Sequence, residues 1–168
     1  LSKLIRANLD MSCRLDVSLA EELDFVKQYV EVERPLVDGN FEFKLEVAPD
    51  INLDQVHVPS MFVQILVENA LVHGLRGWEG EKRLMVKVER RQEATTSISV
   101  IDNGPGFDIR STGKKRTGLT VLSQTIAMIN ERNRSKMTFS MRNLKGEDGK
   151  VLGCESGFCI PDEINLSI

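Results

Sequence analysis

The stretch Gln64-Ile65-Leu66-Val67-Glu68-Asn69-Ala70-Leu71-Val72-His73-Gly74 decides how this chain is read. It is an apolar helix with polar groups gathered on one side. At about 100° per residue, Ile65, Asn69, Val72, His73 and Arg76 fall within one arc if the helix lasts that long, with Gln64 and Glu68 stacked beside it. An uncharged amide such as Asn69 is costly to bury without a partner, so it is either solvated or put to use. Its oxygen is a hard donor of the kind that Mg²⁺ accepts while keeping several waters and bridging phosphates. Ser60, just after Pro59, is placed to cap this helix, and Gly74 to close it near His73.

Two further segments lie downstream. In Ile98-Ser99-Val100-Ile101-Asp102-Asn103-Gly104-Pro105-Gly106-Phe107 an apolar strand delivers a carboxylate to its end. There Gly104 and Gly106 let the backbone turn sharply and approach a ligand. A carboxylate in that position can accept a hydrogen bond from an exocyclic amine such as that of adenine; the bland alternative is an ordinary turn. In Thr112-Gly113-Lys114-Lys115-Arg116-Thr117-Gly118-Leu119-Thr120, Gly118 opens a helix whose free N–H groups and positive dipole end attract phosphate, and Lys114, Lys115 and Arg116 add charge beside it.

Around these segments, Leu4, Ile5 and Leu9 suggest a short helix over 3–12. Ser18 with Glu21 forms a capping box, opening a helix with Leu19, Leu23, Val26 and Val30 on one face until Pro35 stops it. Residues 38–40 read as a turn, and 41–47 alternate with period two as a half-buried strand. Residues 83–91 and 95–101 read as a hairpin turning at 93–94, 103–117 as a loop, 118–132 as a helix, and 137–141 and 151–160 as closing strands. Links of hairpin length between the later strands predict a mixed or largely antiparallel sheet with helices on one face. The fold class is thus α+β, a two-layer α/β sandwich over 37–168 preceded by a helical segment over 1–36.

Composition narrows the function. The 168 residues are 41% hydrophobic, enough for one compact domain with a full core. A formal charge of −3 excludes a general nucleic-acid or membrane-surface binder, which would carry a net basic face. Cys13, Cys154 and Cys159 lack metal-ligand spacing and read as reduced thiols of a cytoplasmic protein. No apolar run reaches the roughly 18 residues of a membrane span, and no signal-peptide pattern is present. The opening Leu1-Ser2-Lys3-Leu4-Ile5 lacks an initiator Met and reads as the start of an excised piece of something longer; if the parent is membrane-bound, its membrane part lies outside these residues.

Taken in order, the Asn-bearing helix, the Asp-x-Gly-x-Gly turn and the Gly at a helix start resemble the N, G1 and G2 boxes of the gyrase, heat-shock chaperone, histidine kinase and mismatch-repair ATPase superfamily. Within it, Gln-x3-Glu-Asn-Ala-x2-His-Gly is similar to LytS-like sensor histidine kinases. Leu19-Ala20-Glu21-Glu22-Leu23 leading to Tyr29, Val58-Pro59, and Phe158-Cys159-Ile160-Pro161 match as well. The resemblance implies a Bergerat-type fold that holds ATP or ADP with Mg²⁺ beneath a lid at about 103–117. It makes Asn69 the Mg²⁺ ligand, Asp102 the adenine-amine acceptor, Gly104 and Gly106 the pocket and hinge glycines, and Gly118 and Leu119 the segment at the triphosphate. His73 would pack against the nucleotide, unless it is simply a structural histidine, and Glu68 would assist as a base. The implied partners are the phosphoacceptor helix of a homodimeric parent kinase and a response regulator.

Three departures accompany the resemblance. No Pro-His-Phe acceptor motif is present; the histidines are His57 and His73. Val72 stands where the family usually has a phosphate-reaching lysine, and Arg76, one turn on, or Lys114 and Lys115 would have to replace it. Gly153-Cys154-Glu155-Ser156-Gly157 stands where the family favours a Gly-Thr pair. Ile65 occupies the place where hydrolysing members carry a water-activating glutamate, which favours a kinase over an ATPase. A catalytically weakened nucleotide-sensing or scaffold module is the alternative.

Overall fold

A computed structural model describes residues 14–92, 94–107 and 117–167. The helix expected over 3–12 and most of the basic loop, including Lys114 and Lys115, lie outside the described residues.

The five-stranded sheet is mixed, in the order β2 (Phe41–Val47), β4 (Lys82–Arg91), β5 (Thr95–Asp102), β7 (Val151–Pro161), β6 (Thr138–Lys145). Within this sheet β2 and β4 are parallel and the remaining pairs are antiparallel; for β4–β5 and β6–β7 the short links require it, while β5–β7 pairs across a longer connection that carries α3 and β6. Among the described residues the α-helices are α1 (Leu19–Glu33), α2 (Phe62–Asn69) and α3 (Thr117–Glu131). Their apolar sides and the sheet share a single core that runs from Leu23, Val26 and Val30 of α1 through Leu66 and Val67 of α2 to Val86, Ile98 and Phe158 of the sheet. At its centre Phe62 meets Phe158 edge to face, ring centroids 5.6 Å apart. The α+β sandwich expected from the sequence is therefore the observed one.

Local signals held where they were strongest. Ser18 and Glu21 form the capping box of α1, and β2 spans the seven alternating residues. Ala94, at φ +53°, turns the β4–β5 hairpin. α1 contributes to the same core as the sheet. Three features differ from expectation. β6 runs on to Lys145, because its polar residues pair with β7. A small antiparallel pair, β1 (Asp16–Ser18) with β3 (His57–Pro59), brings the segment before α1 against the segment before α2. Finally, Ser60 does not cap α2.

At the start of α2, Met61 occupies the N-cap in the left-handed region at φ 72° and offers no side-chain acceptor. Glu22 of α1 does the capping from across the interface. Its carboxylate accepts from the amides of Met61 (3.1 Å), Val63 (2.8 Å) and Gln64 (3.3 Å). The other end also departs from the pattern: Ala70–Leu75 widens into a π-helical turn, closed by the Arg76 N–H donating to the Leu71 carbonyl at 2.8 Å. Gly74 lies inside this turn rather than terminating an α-helix.

Candidate functional site

The π turn has a direct consequence for the site. It sets the Gly74 backbone against the end of β5, where Asp102 is 5% exposed. A Cβ on Gly74 would stand 2.9 Å from Asp102 Oδ2, and one on Gly104 would overlap the Gly74 carbonyl oxygen. Only glycine allows these two backbones to close around the carboxylate. The Gly104 N–H donates to Asp102 Oδ1 at 2.9 Å. Across the sheet, Asp102 is in register with Leu84 on one side and Cys154 on the other.

The turn after Asp102 is fixed on both sides by asparagines. Asn103 Oδ1 accepts from the Arg83 N–H at 2.7 Å, and its Nδ2 donates to the Glu81 carbonyl at 2.9 Å. Asn143 of β6 clamps Phe107 in the same way: the Phe107 N–H donates to Asn143 Oδ1, and Asn143 Nδ2 donates to the Phe107 carbonyl, both at 2.9 Å. Gly106, at φ +81°, sits between them, and a Cβ there would come within 2.5 Å of Asn143 Oδ1. The segment from 103 to 107 is thus tied at each end, with glycines at 104 and 106.

Asn69, His73, Gly74, Asp102, Gly106, Phe107 and Cys154 line one cavity of about 10 Å³. The structure therefore brings together five residues singled out or bracketed in the sequence, namely Asn69, His73, Gly74, Asp102 and Gly106. It adds Phe107 and Cys154, neither of which carried a site assignment from sequence. Asn69 is half-buried at the last turn of α2, and His73 is exposed at the rim. At the start of α3, a Cβ on Gly118 would meet Ile65 Cγ2 at 3.0 Å, so this glycine lets α3 approach the face of α2 that bears Asn69. Leu119 is half-buried against the core.

Two expected residues face elsewhere. Glu68 is exposed on α2. With Glu33 it acts on Tyr29, whose hydroxyl is pushed above its usual range first by burial and then by these two charges, with Arg76 opposing. Arg76 donates to Glu33 Oε2 at 2.9 Å, tying the exit of the π turn to the end of α1. Its reach back to position 72 assumed a continuous α-helix, and the widened turn removes that stacking. Val72 itself is half-buried. Among the described residues no group of three or more His, Cys, Asp or Glu is placed to hold a metal ion, and no helix is long and apolar enough to cross a membrane.

With this geometry in view, the comparisons are specific. Over 107 residues, 64% of its length, the chain is 33% identical to the sensor histidine kinase/phosphatase LytS of Staphylococcus aureus, covering 18% of that protein. Over 97% of its length it is 27% identical to the sensor histidine kinase YpdA of Escherichia coli, covering 28%. No family model matches. Among solved structures, the catalytic domain of histidine kinase ThkA in a nucleotide-free form aligns over 88% of this chain and 95% of that one, at TM-score 0.58 and 19% identity. A mycobacterial sensor histidine kinase, MprB, aligns over 87% and 95%, at TM-score 0.58 and 17% identity.

This is a LytS-like chain with the fold of a histidine kinase catalytic domain.

The LytS-like chain spans only 18–28% of the length of these curated relatives, so the similarity describes one part of a sensor kinase.

Proposed function

We propose that this domain binds ATP with Mg²⁺ and presents the γ-phosphoryl group to a histidine carried by a helix outside this sequence, in a homodimeric cytoplasmic kinase that serves a response regulator. The observation that carries the reading is the convergence of Asn69, Gly74, Asp102 and Gly106 on one cavity. The Gly104 amide donates to Asp102 Oδ1 at 2.9 Å, and the carboxylate packs against the Gly74 backbone, where no Cβ intervenes. A buried carboxylate at this place suits recognition of an adenine amine donor, because a base without that donor would leave it poorly satisfied. Phe107 and Gly106 complete the walls, so a base enters only as the 104–107 segment opens.

The donor set also fits Mg²⁺ that arrives with the nucleotide. Asn69 offers one neutral oxygen, and no cluster of acids among the described residues would hold a resident ion, in keeping with a cation carried mainly by phosphates and water. ATP supplies the phosphoryl group; the chain orients it and excludes water. Gly118 and Leu119 place the N-terminus of α3 near α2 for the phosphates. Ile65, apolar and packed against Gly118, offers nothing to activate water for hydrolysis. The direct test is calorimetric titration of Mg-ATP into the wild-type chain and Asp102→Ala. Loss of binding heat in the variant is expected, and equal binding by both would remove Asp102 from the site.

A second reading, a nucleotide-sensing module with weakened transfer, is favoured by one observation. Val72 supplies no cation, and Arg76, the nearest substitute on this helix, is held by Glu33. Phosphotransfer by the full-length kinase separates the two. A rise in rate with Val72→Lys, and no change with Arg76→Ala, supports the weakened module. An unchanged rate with Val72→Lys returns the charge to Lys114 and Lys115.

A further inference from the structure

We infer that Glu22 is a positioning residue of the nucleotide site: its ionised carboxylate, on α1, fixes the start of α2 and thereby sets where Asn69 stands at the other end of that helix. The inference rests on the reading of the site proposed above.

The geometry leaves little freedom. Glu22 is fully buried, and its two oxygens accept from three amides of one helix terminus, Met61 at Oε1 and Val63 and Gln64 at Oε2. These are among the N–H groups that no intrahelical carbonyl can serve. The local alternative is missing, because the N-cap is Met61 in a left-handed conformation with no side-chain acceptor. The anchor for α2 therefore lies some forty residues upstream in sequence. α2 is eight residues long, so its whole length is about 12 Å and a shift at its start is carried to Asn69.

A carboxylate is an expensive choice here if holding the fold were its sole task. Burial pushes the Glu22 carboxyl up to about 7, against the pull of the three amides. No charged side chain adds to this balance. On α1 the neighbouring Glu21 is exposed and engaged with Arg14 and Ser18; on α2 the partner that meets Glu22 through its amide is Gln64, which is uncharged. A glutamine at 22 would avoid the burial cost but offers one acceptor oxygen instead of two. Retaining the acid favours a defined helix position over stability, and it makes that position respond to protonation near neutrality.

The test follows the backbone amide resonances of Val63 and Asn69, and Mg-ATP affinity by calorimetry, from pH 8 to 6 in the wild-type chain, Glu22→Gln and Glu22→Asp. In the wild type, Val63 and Asn69 should titrate together, and affinity should fall about tenfold, the effect of one pKa unit of coupling. Glu22→Gln should bind weakly at both pH values with flat resonances, yet melt no lower than the wild type at pH 8. Glu22→Asp, which keeps the charge but is one methylene shorter, should regain part of the affinity. Binding by Glu22→Gln as tight as wild type at pH 8 overturns the inference, as does a pH dependence that survives in Glu22→Gln and so belongs to another group. If the wild type binds no nucleotide at any pH, the functional reading fails separately. The resonances then decide alone: an Asn69 signal that stays fixed while Val63 titrates overturns the coupling, and joint movement upholds it.

Discussion

At the end of the sheet where β5 reaches Asp102, the cavity holds about 10 Å³ and is closed by backbone against backbone. At the opposite end, where β5 begins, an open groove of about 730 Å³ runs past Asp16, Asp50, His57, Arg90 and Asp162. Volume alone favours the groove, since small-molecule pockets commonly exceed about 300 Å³. The chemistry favours the other end. Around Asp102, glycines at 74 and 104 stand where no Cβ fits, and a buried carboxylate keeps an oxygen facing one of them. In the groove, polar side chains are partly exposed and several pair with one another, as in the His57–Asp16 hydrogen bond at 3.0 Å and the Arg90–Asp162 pair. Specific backbone closure, which costs conformational freedom, distinguishes a site from a surface depression better than size does.

The largest expected effect breaks that closure. Gly104→Ala places a Cβ onto the Gly74 carbonyl oxygen, which is backbone and cannot swing aside. Over-packing of this kind costs on the order of 1–3 kcal/mol, and the expectation is the upper part of that range together with loss of Mg-ATP binding. Denaturant unfolding and calorimetry check both. A variant that keeps wild-type affinity would show that the contact between the two glycines is incidental. Asp102→Ala should be milder in stability but comparable in binding, because it removes one charged hydrogen bond of about 1.5–3 kcal/mol, or roughly 10- to 100-fold in affinity.

The sequence disclosed the parts of this arrangement that are set locally. The capping box of Ser18 and Glu21, the alternation of 41–47 and the Asp-x-Gly-x-Gly turn each depend on residues a few positions apart, and each formed as expected. What was hidden depends on distant partners. Ser60 looks like a cap by position, yet Glu22 captures the helix start, and nothing near residue 60 announces it. The π turn arises where Gly74 must meet Asp102, a contact across 28 positions. Phe107 and Cys154 join the site only because Asn143 and the β5–β7 register hold them there.

Next in size is a pH effect seated between the two ends. Glu22 has its carboxyl raised from 4.5 to about 7, so the folded chain binds its proton more tightly than the unfolded chain does. This group therefore adds no difference below about pH 4.5. Its contribution turns unfavourable as pH rises from there to about 7, and stays so above. Relative to Glu22→Gln, the wild type should lose on the order of 1–3 kcal/mol across that window, following about 1.4 kcal/mol per pKa unit as an upper scale. Melting curves of both proteins at pH 5, 6, 7 and 8 measure it. Parallel curves would mean that the carboxylate is better solvated than its burial implies.

The smallest effect belongs to the groove. Arg90 grips Asp162 with both nitrogens, at 2.6 and 2.8 Å, and also donates to Thr96 Oγ1 at 2.9 Å. The geometry is that of a strong fork, and the Arg90 hydrogen bond holds the Asp162 carboxyl below its usual value. The sign is opposite to that of Glu22: the pair contributes above the unfolded carboxylate pKa and is lost as the pH falls through the depressed one. Yet the side chains are 29% and 43% exposed, and water and salt screen what the fork gains. Asp162→Asn should therefore cost less than about 1 kcal/mol at pH 7, and progressively less as the pH falls below the ordinary carboxylate range. It should leave Mg-ATP affinity unchanged, since the pair joins β4 to the end of β7 at the opposite end of the sheet from Asp102. A change in affinity would mean that the two ends of the sheet are coupled through these strands, and the groove would then belong to the site after all.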